Sequence, residues 1–288
     1  MHTVDHRTGP PVTRLCLLFA ALIATLGCGD EFGLRGPAGG GGTGGGGAPA
    51  PATTVSSGLV EVVGLVLDVP TSADVTTTAA QLAIMAHDGN GLRYIGGVVD
   101  PTVEVDGTSF DLISTATAGV FAVTSRQAPD LLYAPGQTWT FRFDLVDDEG
   151  NRYAFATAVE TPEGDAIVDV VPEPIFYAGD PVTLEVRDIA DGGAVAVTPA
   201  NDPFTATWST FAWAGPSTID AGREALEAFS PPVVEIPGEA FPAPGTWRIE
   251  VHNFTVADAV PIDGDHAPLG ASSWLAAGRA QVVGLDVD

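Results

Sequence analysis

Trp139-Thr140-Phe141-Arg142-Phe143-Asp144-Leu145 decides the fold. Aromatic and aliphatic residues hold every odd position, while Thr, Arg and Asp hold the even ones. Side chains of an extended chain point alternately to opposite faces, so this period of two builds a strand with one apolar and one polar face. The alternation recurs in Val182-Thr183-Leu184-Glu185-Val186-Arg187, in Trp247-Arg248-Ile249-Glu250-Val251-His252 and in Gln81-Leu82-Ala83-Ile84-Met85. It predicts that Arg248, Glu250 and His252 share a solvated face. An apolar sheet face has to be covered, and a second sheet is the usual cover.

The punctuation between these runs is that of antiparallel neighbours. Asp88-Gly89-Asn90-Gly91, Asp106-Gly107 and Asp147-Asp148-Glu149-Gly150-Asn151 each separate two alternating runs. Gly and Asn tolerate the positive φ that tight hairpins require. One turn-and-strand unit also repeats. Tyr133-Ala134-Pro135-Gly136-Gln137-Thr138-Trp139 returns as Phe241-Pro242-Ala243-Pro244-Gly245-Thr246-Trp247, with a looser copy at Tyr177-Ala178-Gly179-Asp180-Pro181-Val182. Gly after Pro fits a type II turn. The 109 residues from Gly136 to Gly245 match the length of one immunoglobulin-like sandwich. The Pro-, Gly- and acid-rich run Glu160-Thr161-Pro162-Glu163-Gly164-Asp165 marks a boundary. The expectation is an all-β protein of two antiparallel β-sandwich domains, at 59–161 and 162–288. Residues 220–229, with Ala225, Leu226 and Phe229 on one side, read as a short helix bridging two strands.

Ahead of the strands the composition changes character. Residues 15–26 form an apolar run of 12 behind Arg14, ending at Gly27-Cys28. Spanning a bilayer takes ~20 residues, so the run reads as the core of an export signal at 1–27. The chain's two cysteines, Cys16 and Cys28, both lie here. A cysteine directly after a signal core, with a small residue before it, resembles the lipobox of bacterial lipoproteins; Gly27 fits, while Thr25 and Leu26 differ from the usual residues. The resemblance implies that Cys28 becomes the lipidated first residue of an exported membrane-anchored protein. Gly29, in place of an aspartate after the cysteine, points to the outer membrane or cell surface. Ordinary signal cleavage with Cys28 as a bystander is the alternative. Residues 28–58 hold Gly39 to Gly42, Gly44 to Gly47 and an Ala-Pro run without periodicity. Glycine pays the largest backbone entropy on ordering, so this composition predicts a flexible tether with a root-mean-square span of ~30 Å. A phosphate-cradling loop would need a lysine, and the chain has none.

From residue 59 onward the rhythm resembles the tandem immunoglobulin- or fibronectin-like modules of bacterial surface proteins. That resemblance implies non-catalytic display for adhesion, scaffolding or binding of an extracellular glycan or protein. Charge narrows the partners further. With 37 acidic residues against 11 basic ones, all arginine, the net charge is −26. Nucleic acid binding needs basic side chains facing phosphates, and so does docking on anionic lipid, so both are excluded.

Few residues suggest chemistry. Asp144, Asp147 and Asp148 offer hard oxygen ligands for Ca²⁺, although their spacing is not that of an EF-hand and an acidic hairpin tip explains them equally. Asp263, Asp265 and His266 form a second candidate metal group, without the paired His or Cys spacing of a zinc site. Trp208 and Trp213 differ in parity, so a regular strand would turn one outward as a carbohydrate platform. His87 reads as a strand-end residue. Ser272-Ser273-Trp274 lacks the Gly-x-Ser-x-Gly of a hydrolase elbow. A β-sandwich hydrolase built on two of the many carboxylates is the remaining catalytic alternative.

Overall fold

A computed structural model of the protein describes residues 60–72, 75–88, 91–95, 97–147, 149–171, 175–202, 206–211, 219–229, 232–262 and 266–288. The strands before the boundary are β1 (Val60–Ser72), β2 (Val75–Asp88), β3 (Gly91–Tyr94), β4 (Val98–Val105), β5 (Thr108–Asp111), β6 (Ile113–Ser114), β7 (Val120–Thr124), β8 (Thr138–Val146) and β9 (Arg152–Glu160). After it come β10 (Ile167–Val170), β11 (Val182–Arg187), β12 (Gly192–Pro199), β13 (Trp208–Ser209), helix α1 (Ile219–Glu227), β14 (Val233–Ile236), β15 (Gly245–Asp258) and β16 (Trp274–Val287). Among the described residues the protein is all-β apart from α1 and one 3-10 turn at Gly238–Ala240.

Alternation places the cores. Trp139, Phe141, Phe143 and Leu145 of β8 are buried, and Phe143 stacks on Phe155 of β9 with ring centroids 4.9 Å apart. Val182, Leu184 and Val186 of β11 are buried in the same way. The hairpins form where the turn residues place them. Val105 pairs with Thr108 across Asp106 and Gly107, whose φ angles of 50° and 75° are those of a two-residue turn matched to strand twist. At the looser copy of the repeated unit, Asp180 N–H donates to the Tyr177 carbonyl around Gly179 at φ 89°, a type II geometry.

Three sheets result. A nine-stranded sheet has the order β13-β12-β15-β16-β1-β2-β7-β6, with β3 on β2; a four-stranded sheet runs β5-β4-β8-β9 and a three-stranded one β10-β11-β14. Residues on one parity of β16 show how the layers stack. Leu275 and Ala277 belong to the core beneath the four-stranded sheet, and Leu285 and Val287 to the core beneath the three-stranded one. Both smaller sheets therefore cover the same face of the large sheet, one beyond the other along β16. Two antiparallel sandwiches are present, and they share one sheet. The division at 161/162 falls between β9 and β10, yet β16 returns to pair with β1 in parallel, from Val63↔Trp274 to Asp68↔Arg279.

The opposite face of the large sheet is covered too. Val63, Leu65 and Leu67 of β1, Trp274, Ala276 and Ala280 of β16 and Phe254 of β15 form a third core with Phe211 and with Ile219 and Leu226 of α1. The helix comes this close because β12 opens with Gly192-Gly193: a Cβ on Gly192 would sit 2.5 Å from the Leu226 carbonyl oxygen. This cover overturns one expectation. Glu250 and His252 are buried, and Arg248 is nearly so, because α1, Phe211 and the far end of the β1–β2 hairpin lie over the face that alternation assigned to solvent.

A polar seam separates the two cores of the shared sheet and holds the connection between the sandwiches. Asn253 of β15 donates through Nδ2 to the Gly164 carbonyl at 3.0 Å and accepts from the Ala190 N–H at 2.8 Å. Arg279 of β16 bridges Asp68 at 3.1 Å and Asp165 at 3.4 Å, and the Thr78 hydroxyl donates to Asp68 at 2.8 Å. Burial holds the Asp68 carboxyl above its ordinary value, against those partners.

Candidate functional site

Each residue the sequence singled out has a definite setting or lies outside the described residues, as Cys28, Asp148, Trp213, Asp263 and Asp265 do. At the β8–β9 hairpin, Asp144 is ion-paired with Arg152, which also reaches Asp100 at 3.2 Å. Asp147 accepts from the backbone N–H groups of Glu149 (3.0 Å) and Asn151 (2.8 Å), from Asn151 Nδ2 (2.8 Å) and from the Tyr153 hydroxyl (3.1 Å). Hydrogen bonding, led by the Asn151 side chain, holds its carboxyl below the ordinary value. Asp147 thus closes the hairpin, and a cation would compete with four donors for its two oxygens. Among the described residues no group of three or more His, Cys, Asp or Glu could hold a metal ion.

His266 is half-buried in a segment that covers the outer edge of β9. The Ala267 N–H donates to the Ala154 carbonyl, the Ile262 N–H to that of Ala156, and Pro261 bridges to Thr157. The segment shields an edge strand that would otherwise be open to pairing. Trp208 lies half-buried at the edge of the large sheet, opposite Val197, packed against the core beneath the three-stranded sheet. Three residues on, Phe211 is buried in the core of the other face, so the segment does place aromatics on both sides of the sheet. Ser273 is buried; its hydroxyl donates to Glu61 Oε2 at 2.8 Å and accepts from the Val62 N–H at 2.9 Å. Glu61 also faces His87 Nε2 at 3.6 Å, so Ser and His both turn to the carboxylate rather than to each other.

Alternation gave no sign of the buried polar row on β15. Glu250 lies 3.2 Å from Arg248 and 3.6 Å from His252, and the His252 ring stacks on Phe254 with centroids 5.9 Å apart. Arg248 donates to the Pro70 carbonyl at 2.5 Å, tying the β1–β2 hairpin to β15.

A cleft lies at the pole of the large sheet remote from Val60. It has a volume of about 650 Å³ and opens between the end of β12 and the start of β15, lined by Pro199, Asn201, Pro244, Thr246 and Trp247. Trp247 is buried from below: its Nε1 donates to the Ala243 carbonyl at 3.1 Å and its ring meets Phe241 edge-on. The strands fix the separation. Gly245 pairs with Val287 at the cleft, Asp258 pairs with Trp274 at the other end of β15, and Val63 also pairs with Trp274. The 14 residues of β15 rise by roughly 45 Å between these poles.

These features define a composite all-β body in which Val60, at the start of β1, and the open cleft lie at opposite ends. No family model matches the chain, and no curated protein matches it either. Solved structures similar to it include the human OSCAR ligand-binding domain, at 10% identity over 77% of this chain and 97% of that one, with a TM-score of 0.20. A tetra-tandem repeat in the extending region of a large adhesion protein gives 14% identity over 78% of this chain and 49% of that chain, with a TM-score of 0.21. Scores this low describe no common superposition, and the fold assignment rests on this chain's own strands and sheets.

Proposed function

We propose that the protein is a lipid-anchored envelope protein, acylated on Cys28, that carries a non-catalytic β-sandwich body for adhesion, scaffolding or ligand binding at the bacterial outer membrane or cell surface. The observation that carries the reading is polarity: the first described strand starts at Val60, on the C-terminal side of the Gly-rich sequence, and the open cleft lies roughly 45 Å from that end. An anchor at the first pole presents the second to the surroundings. Acyl chains gain ~0.8 kcal/mol per buried CH₂, enough in combination to hold the protein at a bilayer. Its acidic surface favours solubility through like-charge repulsion and repels other anionic surfaces.

The test is metabolic palmitate labelling with membrane fractionation in a bacterial host. Wild type should take up label and sediment with membranes, and Cys28→Ala should lose both. Membrane association of an unlabelled variant would remove the anchor from the reading. A glycan ligand is the second reading, favoured by the half-exposed edge position of Trp208. On a glycan array, Trp208→Ala should then lose signal that wild type gives.

A further inference from the structure

Val60 opens the first described strand, β1, which lies inside the large sheet rather than at an edge. On one side β1 pairs antiparallel with β2, from Val60↔Ala86 to Ser72↔Val75. On the other it pairs parallel with β16 over six residues, from Val63↔Trp274 to Asp68↔Arg279. Both of its faces are buried: Val62 and Val66 lie beneath the four-stranded sheet, and Val63, Leu65 and Leu67 lie in the core on the α1 side. Water has no route by which to replace these backbone hydrogen bonds as the strand begins to move, so each keeps its strength until it breaks.

We propose that β1 is a mechanical clasp: tension that arrives through the segment before Val60 is resisted by β1 in shear against β16. The direction follows from the parallel pairing. The free end of β1 at Val60 points to one pole and the end of β16 at Val287 points to the other, so a pull between the two poles runs along both strands. All six pairs must then fail within about one residue rise, ~3.3 Å. Peeling the same strand breaks pairs singly, and each frees ~6.6 Å of chain. For equal free energy per pair, shear resists with a force on the order of ten times greater. β16 cannot slide with β1, because its other side is held to β15 through fourteen pairs, Gly245↔Val287 to Asp258↔Trp274. The proposal takes from the function above only the end at which the pull enters.

Single-molecule force spectroscopy tests it on the full, unacylated chain with Cys16→Ser and Cys28 as one handle. The second handle is Asp288→Cys in one protein and His87→Cys in another; both sites are exposed. The first geometry shears β1 against β16. The second peels the β1–β2 hairpin from its Val60↔Ala86 end. The first should unfold at a force roughly ten-fold above the second. Equal forces, or a lower force for the first, overturn the clasp. Because no acyl chain takes part, failure of the lipid anchor leaves this result standing, and failure of the clasp leaves the anchor standing.

Discussion

On β8 the even-numbered residues Thr140, Arg142 and Asp144 stand half-exposed, and Arg142 reaches Glu104 of β4 at 3.4 Å with about two-fifths of each side chain in solvent. On β15 the corresponding residues Arg248, Glu250 and His252 lie beneath α1 and the β1–β2 hairpin. Arg248 there meets Glu250 at 3.2 Å with 13% and 1% of the two side chains exposed. Distance and chemistry of the two Arg–Glu pairs are almost the same; their surroundings differ. Water screens the first pair and solvates either partner if the other is removed. The second pair has given up its hydration, so water cannot replace either partner when the other is removed.

Removing one partner from each pair separates these cases, and here the largest effect is expected. Glu250→Ala leaves Arg248 buried beside His252 without its carboxylate and should destabilise the fold by ~3–5 kcal/mol. Glu104→Ala should cost no more than ~1 kcal/mol. Denaturant unfolding of both variants measures the contrast. Equal losses would mean that the cover over β15 does not exclude water.

Asp68 extends the comparison to a carboxylate with mixed surroundings, since it has Arg279 and Thr78 as partners and is still held above its ordinary value of 3.8 by burial. The folded state therefore binds the Asp68 proton more tightly than the unfolded chain. Between 3.8 and the raised folded value, this group adds stability as pH falls and withdraws it as pH rises. Asp68→Asn, which keeps an acceptor for Thr78, should lose that contribution. Its stability should drop more steeply than wild type on acidification through this window. Parallel pH profiles from denaturant unfolding would show that Arg279 and Thr78 fully offset burial, which would overturn this reading.

What the residues disclose in advance follows from the same contrast. Trp139, Phe141, Phe143 and Leu145 had to be buried because they form the one apolar face of β8, and Asp106-Gly107 had to turn because few residues accept positive φ. The helix was legible in Leu226 and Phe229, and it begins at Ile219. The partner of β1 was not legible. A strand's rhythm states which faces are apolar but not which strand lies alongside, so the β1–β16 pairing that joins the sandwiches left no local mark. Nor does a polar residue reveal whether it is covered: His252 reads the same on an open face as beneath a helix. For the candidate site, oxygen-rich Asp147 was visible, but its four donor groups were not, because nothing in Glu149, Asn151 and Tyr153 as residue types says that their N–H and O–H groups turn to that carboxylate.

Asp147 is the exposed counterpart of Asp68, and it carries the smallest expected effect. Its carboxyl is held below 3.8 by Asn151, Tyr153 and the Glu149 N–H, so the stability it lends is present above 3.8 and is lost as pH falls through the lowered value. The hairpin is solvent-exposed, so that loss should stay local to 147–151 instead of unfolding the sandwich. NMR titration can follow it at the Asn151 side-chain amide, whose Nδ2 donates to Asp147. In wild type the amide should shift only below pH 3.8, and in Asp147→Ala that transition should vanish while the Phe143 and Phe155 ring signals stay in place. Adding Ca²⁺ at neutral pH tests the competing use of the same oxygens. If the Asn151 amide moves at micromolar Ca²⁺, the four donors have yielded to a cation, and this hairpin would be a binding site in addition to a turn.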